Sequence, residues 1–426
     1  MSPLDARLDP VGAPAMAPCP PGAAAPGALP DAAPTPAADA AETARLQEAF
    51  TRFARLGCFE DPLYVALSEA AAARPHWAGL LAAAPRAQRT PTLWFAALHD
   101  RLLELCDDGA RAEPLFAYYR SLGGTRAPDA RLAAELDAFL ARERTPLAQR
   151  IATRSTQTNE IGRCAALWPI LCDLARRTGR ERLALLDVGC SAGLNLGVDR
   201  WGYRYVDDAT GALLAERAAA DPQAPDVTTR VLAGAGVPPV PAVGSVPLIV
   251  ARLGIDPHPV DVEDALAVRW LRACLWPHDA QRRARFDAAV ALARAARWPV
   301  RAVPAVRTTA AVGEWREALP DDVLPVVFNS WVLAYFDPPA LEAHVAALLE
   351  GVAGRGAAWV SAEPPQRARR WWPGLPGPAP VRPGASIPAA ELADATVWTV
   401  ALRGAAGVEW LLAARAHAHG RWLQWS

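Results

Sequence analysis

Residues 183–200, LALLDVGCSAGLNLGVDR, constrain the fold more than any other stretch of the chain. Leu183 to Val188 is an apolar run of strand length that ends in an acid, breaks into a small-residue turn and reads on into a helix. Strand, turn and helix in that order have the form of a nucleotide- or cofactor-binding crossover. Asp187, Gly189, Ser191 and Gly193 set the spacing D-x-G-x-S-x-G. Glycine has no Cβ and adopts positive φ, so a ligand can approach the backbone, while a following helix offers unpaired N–H groups to negative charge. The same pattern also suits a tight β-to-α turn that holds no ligand.

Composition removes several chemistries. The 44 cationic side chains are all arginine, which excludes Schiff-base catalysis, a phosphate loop ending in G-K-[ST] and the kinase lysine. Asparagine occurs three times, at Asn159, Asn195 and Asn329, each inside or beside a segment that other signals pick as site-lining. Helix caps and turns alone would explain any one of them. The net charge of −1 and the absence of a dense basic run give no strong nucleic-acid signature. Seven dispersed cysteines without C-x-x-C pairs or histidines at zinc spacing predict reduced thiols in a cytoplasmic protein and no metal site. No signal-peptide pattern and no uninterrupted span of bilayer length is read, so no membrane partner is expected.

At 426 residues the chain can bury one large core or two smaller ones, and two lobes are expected. Residues 1–41 are almost entirely Ala, Pro, Gly and Asp, the composition of a disordered tail. Leu46, Phe50, Phe53 and Leu56, then Leu98, Leu102 and Leu105, then Leu132, Leu136, Phe139 and Leu140 fall on helical faces, so 42–153 reads as an all-helical N-terminal lobe. His76 and His99 within it read as surface or packing residues. Residues 154–179 predict a helix with a polar start, where Asn159, Glu160 and Arg163 either cap the helix or line a site.

Beyond Gly193, strand-like pieces at 248–255, 299–303, 324–329 and 357–361 alternate with helical stretches near 264–274, 279–297 and 338–353, which argues for a parallel sheet. Residues 396–404 and 408–425 read as a closing antiparallel hairpin, and 201–247 as an inserted hairpin or flap over the sheet. The expected fold is α/β: a Rossmann-like, methyltransferase-type doubly wound sheet over 154–426, parallel with a C-terminal antiparallel hairpin, after the helical lobe.

The stretches TQTNEIGRCAALWP (156–169), LLDVGCSAGLNLGVDRWGYRY (185–205), GIDPHPVDVEDALAVRWLRACLWP (254–277), VVFNSWVLAYF (326–336) and WVSAEPP (359–365) together resemble a bacterial family without an assigned activity, the domain of unknown function 2332 family. The resemblance implies a helical region fused to a methyltransferase-like sheet with no established substrate. The family commonly has G-D-A after the third strand. Here Val303-Pro304-Ala305 stands instead, leaving that loop without an acid to contact an adenine amine.

Methyl transfer from a sulfonium is an in-line displacement that requires donor and acceptor to be held together, sometimes with removal of a proton. S-adenosylmethionine is therefore the expected cofactor, with Asp187, Gly189, Ser191, Gly193, Asn195, Asp256 and Asn329 as its candidate contacts. Two acids compete for the ribose hydroxyls: Asp208, 19 residues after Gly189, and Asp256, which closes the better strand and is preferred. Asn159, Arg163, Ser330 and Tyr335, with Trp331 as a further wall, are candidates for the acceptor side. Glu160, His258, Asp261 and Glu363 are candidate proton acceptors, unranked by sequence, and His417 and His419 read as surface residues of the final strand. The acceptor is expected to be a small molecule or a protein side chain, its identity open, as is the oligomeric state. Two other functions stay open: a non-catalytic nucleoside-binding sensor or interaction protein on the same fold, and a nicotinamide-dependent oxidoreductase.

Overall fold

The apolar run at Leu183 becomes strand β1 (Arg182–Val188), buried at every residue after Arg182. The computed structural model describes residues 40–426 apart from 59, 110–112, 233–235, 241–246, 355, 378–386, 388–391 and 393–394. The expected tail therefore falls outside the described residues as far as residue 39, and a helix begins at Ala40. The chain divides into two units. One comprises Asn159–Glu263 and Ala284–Ser426, the other the residues up to Thr158 together with Asp264–Arg283.

The first unit carries a mostly parallel sheet. Its strands are β1, β2 (Gly202–Asp207), β3 (Leu213–Arg217), β4 (Asp226–Val231), β5 (Leu248–Asp256), β6 (Val300–Ala302), β7 (Leu324–Ser330), β8 (Ala358–Glu363), β9 (Thr396–Gly404), β10 (Gly407–Ala416) and β11 (Trp422–Trp425). They lie in the order β3-β2-β4-β11-β10-β9-β8-β7-β1-β5-β6. β8, β7, β1, β5 and β6 run parallel. Numbered along the chain, these five read 3-2-1-4-5 across the sheet, so the order reverses between β1 and β7. β9 pairs antiparallel with β8 and with β10.

Four expectations need correction. Residues 201–247 hold the expected hairpin, β2 pairing antiparallel with β3, but form no flap over the sheet: with β4 the hairpin extends the sheet itself, and β4 joins β11 through Arg230–Trp422 and Val231–Leu423. The closing strand at 408–425 breaks at a turn, His417–Arg421, into β10 and β11, so His417 and His419 are half-buried turn residues rather than strand surface. The turn after β1 opens no α-helix, because Leu194–Gly197 is a single 3-10 turn before the chain leaves for β2. Residues 154–160 are not helical either, and the helix starts at Cys164 and ends at Thr178. The helix Thr308–Glu317, absent from the sequence reading, joins Pro338–Ala353 on one face, where Val312, Trp315, Leu341 and Leu348 bury against Leu186, Val327 and Trp359.

The helical unit is set by caps and apolar faces. Asp61 accepts from the amides of Leu63 and Tyr64 to cap Pro62–Ala73, and Thr90 caps Pro91–Asp107. The face that starts at Leu46 and Phe50 does not continue as one α-helix, for Phe53–Gly57 widens into a π-helical turn. Trp94, Phe95, Leu136 and Phe139 pack with Trp270, which is why residues 264–283 join this unit instead of the α/β domain to which their position assigned them. Asp100 and Glu104 are held between Arg150 and Arg269. His99 is buried, with Nδ1 3.1 Å from the Ala273 carbonyl and Nε2 2.8 Å from the Ser121 hydroxyl, whereas His76 is an exposed partner of Asp137.

Candidate functional site

Parallel strands bring their carboxyl ends to one edge, and side chains alternate between the two faces there. Pairing of Asp187 with Gly254 and with Phe328 puts Asp187, Asp256 and Ser330 on one face. Asn329 pairs with Val188 and Ser361, so it lies on the opposite face with Glu363. The pleat thus splits the candidate residues into two groups that sequence spacing had merged.

On the first face stand Asp187, Asp256, Asn159, Glu160, Arg163, Asn195 and Ser330. The segment before helix Cys164–Thr178 is tied to the β1 turn, since Asn159 Oδ1 accepts from the Leu194 amide at 2.9 Å and the Cys164 thiol donates to Asn195 Oδ1 at 3.4 Å. Glu160 is buried and accepts from the Gly162 amide at 2.8 Å. Arg163 donates through Nε to the Ala418 carbonyl at 2.9 Å and through Nη1 to the Ser330 hydroxyl at 2.7 Å. The turn His417–Arg421 therefore seats Arg163. Gly162 can be nothing larger, because a Cβ there would lie 2.2 Å from the His419 carbonyl oxygen.

Asp187 is 2% exposed, and its Oδ2 is buried without a hydrogen-bond partner. Burial, with repulsion from Asp256, pushes its carboxyl up to about 8 against a smaller opposing pull from Arg163. Asp256 fastens the loop: Oδ2 accepts from the Ser191 amide at 3.0 Å and Oδ1 from the His258 amide at 2.8 Å. Gly189 (φ 74°), Ser191 (φ 53°) and Gly193 (φ 69°) are all left-handed, a conformation that strains the serine.

On the second face Asn329 is 1% exposed and fully engaged, donating to Ser361 Oγ and Glu363 Oε1, each at 3.1 Å, and accepting from Trp359 Nε1 at 2.7 Å. Its amide supports the strands, which removes it from the group around Asp187. Glu363 is fully buried, raised from its ordinary carboxyl range by burial, and its Oε1 also accepts from the amides of Val332 and Leu333. His258 and Asp261 occupy the exposed loop after β5, where Asp261 caps the amide of Glu263. Tyr335 is 82% exposed on the loop after β7. Asp208 stands at the far limb of the sheet, after β2, paired with Arg230 at 2.9 Å.

Sequence reasoning missed Val332, whose side chain lies against Gly189; Trp331 before it, expected as a wall, takes a left-handed φ of 58°. The run of apolar residues behind Asn329 held the only trace of Val332. Among the described residues no group of three or more His, Cys, Asp or Glu side chains is placed to hold a metal ion, and no helix is long and apolar enough to cross a membrane.

Fold and site define a mixed α/β protein with N-terminal helices and a carboxyl-edge cluster built around a buried acid. The chain belongs to the family described as an uncharacterized protein conserved in bacteria (DUF2332), which it matches over residues 47–425. No curated protein and no solved structure matches it.

Proposed function

We propose that the protein is an S-adenosylmethionine-dependent methyltransferase whose donor binds at the carboxyl ends of β1 and β5. The 3-2-1-4-5 order is that of doubly wound nucleotide-binding sheets, which place ligands outside the strand carboxyl ends at the reversal, here beside β1 between β1 and β7. The observation that carries the reading is Asp187: a nearly sealed carboxyl with an unfilled acceptor oxygen, facing a second carboxylate across Gly254. Such a pair favours a cationic ligand. S-adenosylmethionine bears an ammonium and a sulfonium, and when bound it supplies an electrophilic methyl group to an acceptor.

The same geometry disfavours the nicotinamide alternative. A dinucleotide's pyrophosphate is ordinarily held by a helix N-terminus, and here only a single 3-10 turn follows Gly193. Asp187 would accept from the donor's amino group, and Asp256 would use its remaining lone pairs on the ribose hydroxyls. Gly189 and Gly193 would leave the backbone approachable. Ser330, held by Arg163, marks the acceptor side, and the acceptor is a small molecule or a protein side chain.

The test is calorimetric titration with S-adenosylmethionine, S-adenosylhomocysteine and NAD in two buffers of different ionisation enthalpy. With its carboxyl at about 8, Asp187 is roughly nine-tenths protonated at pH 7, so seating an ammonium there releases close to one proton. Asp187→Asn should abolish that release and weaken binding. Equal heats for NAD, or none for either adenosyl ligand, refute the reading. Donor affinity without any methylated product from cell extract would select the non-catalytic sensor on the same fold.

A further inference from the structure

The loop after β7 lies on Gly189, one of the two turn glycines that a donor would approach. A Cβ built on Gly189 would be 2.2 Å from Val332 Cγ2 and 2.7 Å from its Cβ, so the valine covers the turn directly. The loop is under strain, because Trp331 takes a left-handed φ of 58°, a conformation unfavourable for a bulky residue. Its hold is specific. The Trp331 amide donates to the Ala362 carbonyl, the indole Nε1 to Thr396 Oγ1 at 2.9 Å, and the Val332 and Leu333 amides to Glu363 Oε1 at 3.0 and 3.1 Å. Outwardly Trp331 is 36% and Tyr335 82% exposed.

We propose that Glu363 is a positioning residue that latches the loop Trp331–Tyr335 over Gly189, making this loop the cover of the β1 turn, which lifts to admit the donor. This rests on the donor reading above for the identity of the ligand, and on geometry alone for the latch. Glu363 suits the task because one oxygen gathers three donors while the other, Oε2, is buried without a partner, so the carboxyl is committed to the closed loop. Lifting the loop exchanges the hydrogen bonds of three amides and of the Trp331 indole for water and relieves the strain at Trp331, which offsets part of the opening cost.

Hydrogen exchange on the ligand-free protein tests the latch. Glu363→Ala should speed exchange at the amides of Val332 and Leu333 by at least about tenfold, whereas Glu363→Gln, which keeps an amide oxygen as acceptor, should stay within about threefold of the parent. Thr396→Val, milder and on the neighbouring strand β9, should loosen the same amides by a smaller factor. In the second arm S-adenosylmethionine is the probe: Val332→Ala should raise its association rate constant several-fold, which a purely structural role for the loop would not do. Unchanged exchange in Glu363→Ala and Thr396→Val, or an association rate indifferent to Val332→Ala, overturns the proposal. If the parent protein gives no heat with S-adenosylmethionine, the donor reading falls and the exchange arm alone decides the latch.

Discussion

Replacing Asp187 by asparagine should change how stability depends on pH. The side chain is nearly isosteric, sits at 2% exposure and loses only the ability to ionise. In the folded protein the carboxyl is pushed from its ordinary 3.8 to about 8, chiefly by burial. The folded state then binds more protons than the unfolded one, so stability falls as pH rises between those two values. At about 1.4 kcal/mol per tenfold change in proton affinity, this group alone removes roughly 3–4 kcal/mol between pH 5 and pH 8. Below the unfolded value of 3.8 both states are protonated, the contribution is fully present and the pH dependence levels off. Asp187→Asn lacks this dependence, and every other titrating group is shared, so the difference in unfolding free energy between variant and parent isolates it. Urea melts at one-unit intervals from pH 5 to pH 8 should show the variant gaining on the parent at each step. Parallel profiles would mean that Asp187 titrates normally, and the cationic-ligand reasoning would fall with it.

Gly189→Ala should destabilise by more than the roughly 1–2 kcal/mol of left-handed strain alone, since its Cβ must also displace Val332; thermal melts and exchange at Val332 check this. Asp256→Ala should weaken S-adenosylmethionine binding at least about tenfold and Asp208→Ala hardly at all, measured by calorimetry, because only Asp256 touches the β1 loop. Trp270→Ala should cost about 3–5 kcal/mol in denaturant melts, as its indole is buried in the helical unit's core and donates to the Ser155 carbonyl at 2.8 Å. Arg163→Lys should lower the melting temperature and free Ser330, because an ammonium cannot span both the Ala418 carbonyl and the Ser330 hydroxyl as the guanidinium does.

The strand at Leu183–Val188, the glycine-rich turn, the helices Pro91–Asp107, Leu132–Thr153 and Pro338–Ala353, and the strands β5, β7 and β8 were legible because each is a local pattern: an apolar period, a cap, a small-residue break. The grouping of Asn159, Glu160, Arg163, Asp187, Asn195 and Ser330 was foreshadowed by unusual polar residues flanking apolar runs. Asn329 and Ser330 look equivalent in the chain. One step of the pleat sends the first to the Trp359–Glu363 face and the second to Arg163, and that sense follows from pairing with β1 and β8, far away in sequence.

Sequence alone therefore determined where the chain stiffens and turns, since those preferences are paid within a few residues. Tertiary structure decided the rest. It alone sent residues 202–231 to the far limb of the sheet, gave 264–283 to the helical unit, stopped a helix from forming after Gly193 and laid Val332 on Gly189. Each of those outcomes depends on burial against partners dozens to hundreds of residues distant, and no local period encodes which partner a buried face will meet.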